Sequence, residues 1–426
     1  MSNSGIVLLP VLVFLSLLVS MIFPNRKFGI FPSASLFYLL LLGLFIVYLP
    51  MADQLLGVHS SFGFELPRNP EINTRIALVY FTAISGFALG FFLLSFLLRD
   101  KIIGPSISLS TDTSSRILYG FQLLCWMLYF FNLLVSGISL SGIFNPFNQE
   151  ERSILFSASY RYPLLELLSA AVPAALFLLF RLGKSGELKW WIFFIFWLMM
   201  SLLGGWRFRI ILFALFFVFH WLENRFSFRK AVLIFILLPL SMAWLTLNRM
   251  AIAKRQFHLV TFDLRDFDLN LFNNEFSNCR TFRACLSQEG WDRFPGFAGW
   301  QKVPPEGKPA IIQFSKAWIP PGWPWNPNPA LSQPEEFFLL FGFPGLLAGM
   351  AVVGSITAIA DRLRKSFFAS GLRIVFTAML FQWVSRGYFP FQMKITLICL
   401  SPFLLLWIAD SYLSRKTNEN PARPVQ

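Results

Sequence analysis

Long runs of apolar residues, separated by short charged segments, recur along most of the chain. A helix needs about 20 apolar residues to cross the roughly 30 Å hydrocarbon core of a bilayer. Eleven runs approach that length, so we expect an all-α polytopic integral membrane protein. The predicted spans are residues 5–23, 33–50, 76–98, 117–140, 163–180, 190–206, 207–222, 231–248, 336–360, 372–389 and 391–409.

The composition excludes a soluble globular protein. Of the 426 residues, 56% are hydrophobic and 14% are charged, which is about half the charge of a soluble domain. A net charge of +14 would suggest a nucleic-acid partner in a soluble chain. Here the Lys and Arg residues lie between apolar runs. We therefore expect the lipid bilayer as a partner, and we expect no binding to nucleic acid.

The distribution of Lys and Arg predicts sidedness, because short cytoplasmic loops carry an excess of these residues. With the amino terminus outside, the segments assigned to the cytoplasm contain eighteen of them and the short outer segments contain eight. The carboxy terminus is then cytoplasmic. The predicted organisation is helices 1–8 in residues 1–248, one long periplasmic cap loop in 249–335, helices 9–11 in 336–410 and a cytoplasmic tail in 411–426.

Residues 190–222 admit two interpretations. Two helices of about 16 residues would each reach only about 25 Å, whereas one long tilted helix would reverse the sidedness of everything downstream. Gly204 and Gly205 supply a break and favour a hairpin. The hairpin turn would place Arg207 and Arg209 at membrane depth, where a charge is costly unless it lines a wet, protein-walled cavity.

The long outer loop contains a run rich in Pro and Trp, IPPGWPWNPNP, at residues 319–329. Such Pro density excludes a regular helix or a central strand. The abundance of Trp and Phe favours a folded cap over disorder. Cys279 and Cys285, six residues apart in this loop, could close a small disulfide ring in an oxidising compartment or remain reduced.

The sequence lacks the usual motifs of metal and nucleotide chemistry. Its three His residues do not have zinc-ligand spacing, and the chain contains no Walker-type glycine loop and no GxSxG nucleophile elbow. We therefore expect no metal and no cofactor.

Arginine occurs near the outer ends of the predicted helices, where the topology rule predicts few positive charges. Its planar guanidinium suits phosphate and keeps its charge when partly desolvated. Any one of these side chains could instead snorkel to anionic lipid head groups. As a set they indicate a phosphate site: Arg207, Arg209, Arg249, Arg255 and Arg386.

A few carboxylates could share the same outer mouth: Glu335, Glu336 and Glu166 at helix starts, and Asp53, Glu65 and Glu71 in the first outer loop. Glu335 and Glu336 open the ninth predicted span, where the helix dipole also stabilises a negative charge. Glu166 lies one turn into the fifth span and has no such structural explanation. A buried carboxylate beside arginines is typical of a general base.

Four segments carry a family pattern: GGWRFRIILFALFF, NRMAIAKR before the long loop, NPNPALSQPEEFFLLFGFPGLLAGMAVVG after it, and SRGYFP. In these segments the chain resembles the bacterial O-antigen polymerases, which are oligosaccharide repeat-unit polymerases of the inner membrane. The resemblance spans most of residues 190–410, and the amino-terminal half matches only in hydropathy.

The resemblance implies polymerisation of polyprenyl-pyrophosphate-linked oligosaccharide repeat units into surface polysaccharide, at an active site facing the periplasm. A chain-length regulator protein could be a partner. The five arginines would bind the pyrophosphate, and the catalytic candidates are Glu336, Glu335 and Glu166, with Glu336 or Glu166 as the base. Aromatic side chains of the loop could stack on sugars or form an interfacial belt: Trp300, Trp318, Trp323 and Trp325.

Three alternatives stay open from the sequence. A polyprenyl-phosphate-sugar-dependent glycosyltransferase would use a carboxylate of the first outer loop, where Asp53, Glu65 and Glu71 lie. An O-antigen ligase has a similar topology, and an outer-loop His such as His258 would favour it. The non-enzymatic alternative is a lipid-linked glycan flippase, although the one-sided cap does not fit the matched halves of many transporters.

Overall fold

Helices dominate the computed structural model of this chain. The structure describes residues 11, 14–17, 33–43, 70–98, 101, 103–105, 107–135, 163–203, 207–224, 278–287, 296–303, 308–311, 313, 331–385 and 388–419. The α-helices are α1 Ala34–Leu42, α2 Pro70–Leu97, α3 Thr111–Val135, α4 Pro163–Arg181, α5 Leu188–Leu203, α6 Arg207–Asn224, α7 Asn278–Ser287, α8 Gln333–Asp361, α9 Phe367–Ser385 and α10 Phe389–Glu419. Two 3₁₀ turns, Lys184–Gly186 and Gly296–Trp300, and an antiparallel pair of short strands, β1 Lys302–Val303 and β2 Lys308–Pro309, complete the described elements.

These helices make the protein a helical membrane protein. Four of the described helices are long and apolar enough to cross a bilayer: Glu71–Leu97, Gln333–Asp361, Phe367–Val384 and Phe389–Leu413. Helices occupy most of the described residues of the predicted spans, but Tyr388, inside the predicted span 372–389, lies between the end of α9 and the start of α10. The total of eleven spans stays a prediction, because residues 231–248 and most of 5–23 lie outside the described part.

The chain divides into two compact units. The first unit contains Met1–Lys101, Arg225–Asp361 and Met379–Met393. The second unit contains Ile102–Asn224, Arg362–Ala378 and Lys394–Gln426.

In the first unit, α2 and α8 pack at close range because glycines line their contact. Gly86 and Gly90 form a GxxxG pair on α2, a spacing that lets two membrane helices approach. A Cβ atom on Gly90 would lie 1.8 Å from the carbonyl oxygen of Ala351, and one on Gly354 would lie 2.1 Å from that of Phe87. Backbone therefore contacts backbone here, with no room for a side chain.

The other face of α2 is apolar and exposed, as a lipid-facing surface requires. The exposed residues follow helical spacing: Leu89, Phe92, Leu93, Phe96 and Leu97.

Helix α8 is broken at Gly342, where φ is 65° and ψ is −164°. Glycine is essentially the only residue that adopts this conformation. Pro344 follows two residues later and lacks the N–H that would continue the helical hydrogen bonds. The break divides α8 into an amino-terminal arm, residues 333–341, and a carboxy-terminal arm, residues 343–361.

The amino-terminal arm folds back beside the carboxy-terminal arm. If α8 were straight, Gln333 and Asp361 would lie about 42 Å apart. Instead, Ser33 donates a hydrogen bond to Asp361 (3.0 Å) and Tyr38 donates one to Gln333 (2.5 Å). Ser33 and Tyr38 are separated by only about 8 Å along α1, so Gln333 lies much closer to Asp361 than it would in a straight helix.

The fold-back corrects the predicted uninterrupted span over residues 336–360. The carboxy-terminal arm alone measures about 28 Å, which is enough to cross a bilayer. The Phe337 ring of the amino-terminal arm lies 2.6 Å from where a Cβ on Gly349 would stand. The small residues of the carboxy-terminal arm thus make room for the amino-terminal arm.

Replacing Gly342 by Ala should destabilise the protein. The positive φ and extended ψ of this residue strain any side chain, at a cost of about 1–2 kcal/mol. We expect a lower thermal unfolding midpoint for Gly342→Ala in detergent. Gly186→Ala is the matched control, because a Cβ on Gly186 would have no described atom within 4 Å. Equal midpoints for the two variants would contradict the strained hinge.

In the second unit, α5 and α6 form the hairpin that the Gly204-Gly205 break favours. The rings of Trp197 on α5 and Phe213 on α6 have centroids 4.8 Å apart. One continuous helix would separate these two residues by about 24 Å. The structure therefore excludes the single tilted helix.

An exposed ionic cluster of the second unit joins α3 to the turn before α5. The Lys184 ammonium lies 2.9 Å from the Asp112 carboxylate and 3.1 Å from that of Glu187. Its hydrogen bonds lower the pKa of Asp112 and the pKa of Glu187. The same hydrogen bonds, the one to Asp112 foremost, raise the pKa of Lys184.

This cluster should lose its small stabilising effect in acid. The lowered pKa of Asp112 and of Glu187 stabilises the fold above their ordinary values of 3.8 and 4.5, and this effect is lost as the pH falls through the lowered pKa. The raised pKa of Lys184 stabilises the fold at every pH below its ordinary value of 10.5. The protonation of Lys184 therefore does not change in acid, and the loss comes from the two carboxylates. We expect the difference in unfolding midpoint between the wild type and Lys184→Met to shrink below about pH 4. A difference that stays constant from neutral pH into acid would contradict this.

Candidate functional site

The amino-terminal arm of α8 carries the acidic pair into the interior of the first unit. Glu335 and Glu336 both have 0% of their surface exposed. Buried carboxylates are costly unless hydrogen bonds satisfy them. The two residues have different sets of partners, and these sets separate their roles.

Glu335 closes the start of its own helix. The backbone N–H of Ser332 donates to Glu335 Oε2 at 2.6 Å, which is the acidic half of a capping box. The Tyr80 hydroxyl of α2 donates to Oε1 at 2.7 Å. Glu335 therefore has the structural explanation that its position at a helix start suggests.

Glu336 binds outside its own helix. Trp300 Nε1 donates to Oε1 at 2.5 Å, and the backbone N–H groups of Tyr388 and Phe389 donate to Oε2 at 2.7 and 2.8 Å. All three donors are N–H groups, so the carboxyl group accepts at both oxygens. A carboxylate offers about four acceptor positions, which leaves about one for a further donor.

Tyr388 adopts a conformation that is unusual for a side-chain-bearing residue, with φ at 74°. Such strain persists only where surrounding contacts impose it, and it concentrates at functional sites. Here the Tyr388 N–H binds Glu336 and its hydroxyl donates to the Trp300 carbonyl at 3.4 Å. Trp300, Glu336, Tyr388 and Phe389 thus form one hydrogen-bonded group, which we name the Glu336 cluster.

Aromatic rings surround the Glu336 cluster. Phe337 packs edge-to-face on Phe389 with centroids 5.0 Å apart, and Phe341 packs on Trp300 at 5.5 Å. An apolar surround strengthens the hydrogen bonds inside it and makes the loss of any partner costly. The cluster therefore joins the long loop, the amino-terminal arm and the start of α10.

The structure describes only some of the other predicted site residues. Arg209 is half-buried on the first turn of α6 and interacts electrostatically with Tyr129 and Cys399. Glu166 lies in α4 and Arg207 begins α6, and their side chains are outside the described part. The remaining predicted residues lie outside the described residues altogether: Arg249, Arg255, Arg386, Trp318, Trp323 and Trp325.

The disulfide considered between Cys279 and Cys285 is not formed. Cys285 is a free, buried thiol. Both cysteines lie on α7, where six residues correspond to a rise of about 9 Å, beyond the roughly 7 Å between Cα atoms that a disulfide can bridge. Burial, with a smaller contribution from the nearby Glu335 carboxylate, raises the pKa of Cys285, so the thiol stays protonated at neutral pH.

Sequence reasoning missed two residues of this site. Tyr80 is one of several aromatic residues in an apolar run, and nothing in its local pattern marks it as a partner of Glu335. Tyr388 lies in the segment SRGYFP, in which only Arg386 was selected. The adjacent Gly387 could have drawn attention to an irregular backbone there.

Comparison with known families decides the class of this protein. A family model described as O-antigen polysaccharide polymerase Wzy matches residues 1–260, which is more than half of the chain. The chain belongs to this family. This polymerase therefore acts in O-antigen repeat-unit polymerisation, a glycosyltransferase-like activity in lipopolysaccharide biosynthesis, as the resemblance implies.

The matched region differs in position from residues 190–410, where the sequence motifs of the resemblance lie. It includes GGWRFRIILFALFF and NRMAIAKR and extends over the amino-terminal part, where the resemblance is limited to hydropathy. Tyr80 lies inside the matched residues, and Glu336 lies beyond them. Searches of curated proteins and of solved structures gave no match.

Proposed function

We propose that this polymerase transfers a growing glycan from a polyprenyl pyrophosphate to a repeat unit on a second polyprenyl pyrophosphate, at the periplasmic face. A hydroxyl of the acceptor sugar attacks the anomeric carbon of the donor. The bond from that carbon to the pyrophosphate oxygen breaks, and the lipid pyrophosphate leaves. The hydroxyl proton passes to a carboxylate of the protein, so the site needs a proton acceptor and a counter-charge for the leaving group.

Glu336 is the proposed proton acceptor, and its hydrogen-bond set is the observation that carries the proposal. Capping explains Glu335, whereas Glu336 binds donors from the long loop and from the start of α10 and keeps about one acceptor position. The hydroxyl of the acceptor sugar can donate to this free position on the Glu336 carboxylate when the half-buried Trp300 side chain moves aside. Glu166 stays a second candidate for the base.

The proposed counter-charge is arginine. Arg386, a predicted pyrophosphate-binding residue, lies two residues before Tyr388 in the sequence. Because the backbone N–H of Tyr388 donates to Glu336, the carboxylate holds the chain close to this arginine in sequence. Arg207, Arg209, Arg249 and Arg255 complete the predicted set. Because guanidinium groups neutralise pyrophosphate, we propose that the transfer is independent of metal and continues in EDTA.

Contacts inside the first unit support the proposed sidedness. In the first unit, Trp300, Glu336 and Tyr388 are all assigned to the outside by the charge pattern, and they contact one another. Ser33 and Asp361, which also hydrogen bond, are both assigned to the cytoplasm. A chain-length regulator remains a proposed partner of the periplasmic side.

The proposed function predicts a specific glycan profile. In a host that lacks this gene, lipid-linked glycan should collapse from a ladder to single repeat units on the periplasmic face, and restoring the gene should restore the ladder. The measurement is a gel of surface glycan together with an assay of its sidedness. Failure to form single units would favour a glycosyltransferase, and single units trapped inside would favour a flippase.

A further inference from the structure

A cationic cluster is buried in the second unit, at helix ends that the charge pattern assigns to the cytoplasm. Its members are Arg181 at the end of α4, Glu223 near the end of α6 and Arg373 in the first turns of α9. The Arg373 guanidinium donates to Glu223 Oε1 at 2.5 Å, and Arg181 lies 3.8 Å from Oε2. We name these three residues the Arg-Glu-Arg cluster.

The Arg-Glu-Arg cluster has more positive than negative charge. Two guanidinium groups face one carboxylate, and His220 Nδ1 and the Ser370 hydroxyl are its polar neighbours. The side chains of Arg181 and Arg373 are only 4% and 3% exposed, whereas that of Glu223 is 19% exposed. Water therefore cannot compensate the excess charge, and buried charges require a partner.

Several donors of the cluster have no partner among the described residues. In that part of the chain, Nε and Nη1 of Arg373 and Nε of Arg181 are buried and donate no hydrogen bond. Stacking of Arg181 on the Phe367 ring, at 4.2 Å, holds its guanidinium in place without using these N–H groups. Gly371 leaves room for the Arg181 guanidinium, because a Cβ there would lie 2.9 Å from Nη1. An oxyanion would satisfy both the donors and the charge.

We propose that the Arg-Glu-Arg cluster binds a phosphate group, carried by a membrane lipid or free in the cytoplasm. The forked donors of two arginines match the tetrahedral oxygens of phosphate. Glu223 neutralises part of the positive charge of the two arginines. When no phosphate is bound, it holds the two guanidinium groups close together. This site is separate from the Glu336 cluster, and the proposal does not rest on the proposed reaction.

The test is thermal unfolding of the full-length protein in a neutral detergent. Inorganic phosphate is added at constant ionic strength against chloride, and, separately, micelles containing phosphatidylglycerol are compared with micelles containing diacylglycerol, which carries no phosphate. We expect a rise of about 2–4 °C in the unfolding midpoint of the wild type. A response to phosphate alone identifies a free ligand, and a response to phosphatidylglycerol alone identifies a lipid head group. No rise in the wild type with either probe overturns the proposal.

Substitutions separate specific binding from general charge. Arg373→Gln should lose the rise, and Lys189→Gln, which removes an equal charge from an exposed position, should keep it. Glu223→Gln should be less stable without ligand and show a larger rise with it, because the positive excess grows. A purely structural ion pair predicts the loss of stability without the larger rise. A destabilised Glu223→Gln variant without a larger rise overturns the proposal. An equal rise in the unfolding midpoint of Arg373→Gln and of the wild type also overturns it, so the test remains decisive if one variant folds poorly.

Discussion

Gly90→Ala is expected to lower the free energy of unfolding by about 2–3 kcal/mol, although Ala is normally the better helix residue. The added methyl would lie 1.8 Å from the carbonyl oxygen of Ala351. That oxygen belongs to backbone and cannot rotate away, so α2 and α8 must separate and give up packing along their whole contact. The measurement is the thermal unfolding midpoint, together with the fraction of protein that elutes as one species in detergent.

Gly120→Ala is the matched control for Gly90→Ala. Gly120 also lies inside a helix, α3, and a Cβ there would have no neighbour within 4 Å among the residues that the structure describes. In this position Ala should be neutral or stabilising by about 0.5–1 kcal/mol, because it restricts the unfolded chain. The two substitutions are thus expected to have opposite signs. A stabilised Gly90→Ala variant would refute the close packing of α2 on α8.

Glu336→Gln is expected to reduce polymer formation by about 100-fold or more, the usual size of a lost general base. Gln keeps the size of the side chain but accepts no proton. Its amide nitrogen would also meet N–H donors from Trp300 or from the start of α10. The readout is the glycan ladder, normalised to the amount of folded protein in the membrane. Full polymer length at normal protein levels would refute the role of Glu336.

Two variants separate chemistry from folding at this site. Glu335→Gln removes the same charge at the same burial, and it should keep the ladder because Gln also serves at this position of a capping box. Trp300→Phe removes one donor to Glu336 and leaves the carboxylate, so it should keep part of the activity. If Trp300→Phe abolishes polymer as fully as Glu336→Gln while both variants fold, Glu336 positions the loop and is not the base.

Length and hydropathy were enough to predict the four described helices that can cross a bilayer, because a crossing segment must satisfy its backbone hydrogen bonds internally. The hairpin of α5 and α6 was also predictable, since Gly204 and Gly205 break an otherwise continuous run. The fold-back of α8 was not predicted, because the mean hydropathy of residues 333–361 is the same whether the chain continues straight or reverses its direction within the membrane. The letters FGFPG contained the signal: a glycine able to adopt positive φ, followed by a proline.

The candidate site was predictable one residue at a time and not as a set. Glu336 and Trp300 were both selected from the sequence, yet their direct contact depends on a loop whose path no local pattern specifies. The capping role of Glu335 follows from Ser332 three residues before it and could have been assigned in advance. Tyr388 and Tyr80 needed the tertiary structure, because their contacts join residues far apart in the chain.

The break at Gly342 also changes how membrane crossings should be counted. The amino-terminal arm is apolar and helical, but it folds back beside the carboxy-terminal arm and adds no crossing. Reporters fused just before residue 333 and just after residue 342 would therefore report the same compartment, despite the apolar helix between them. The parity of the predicted spans, and the sidedness that depends on it, is unaffected by this arm.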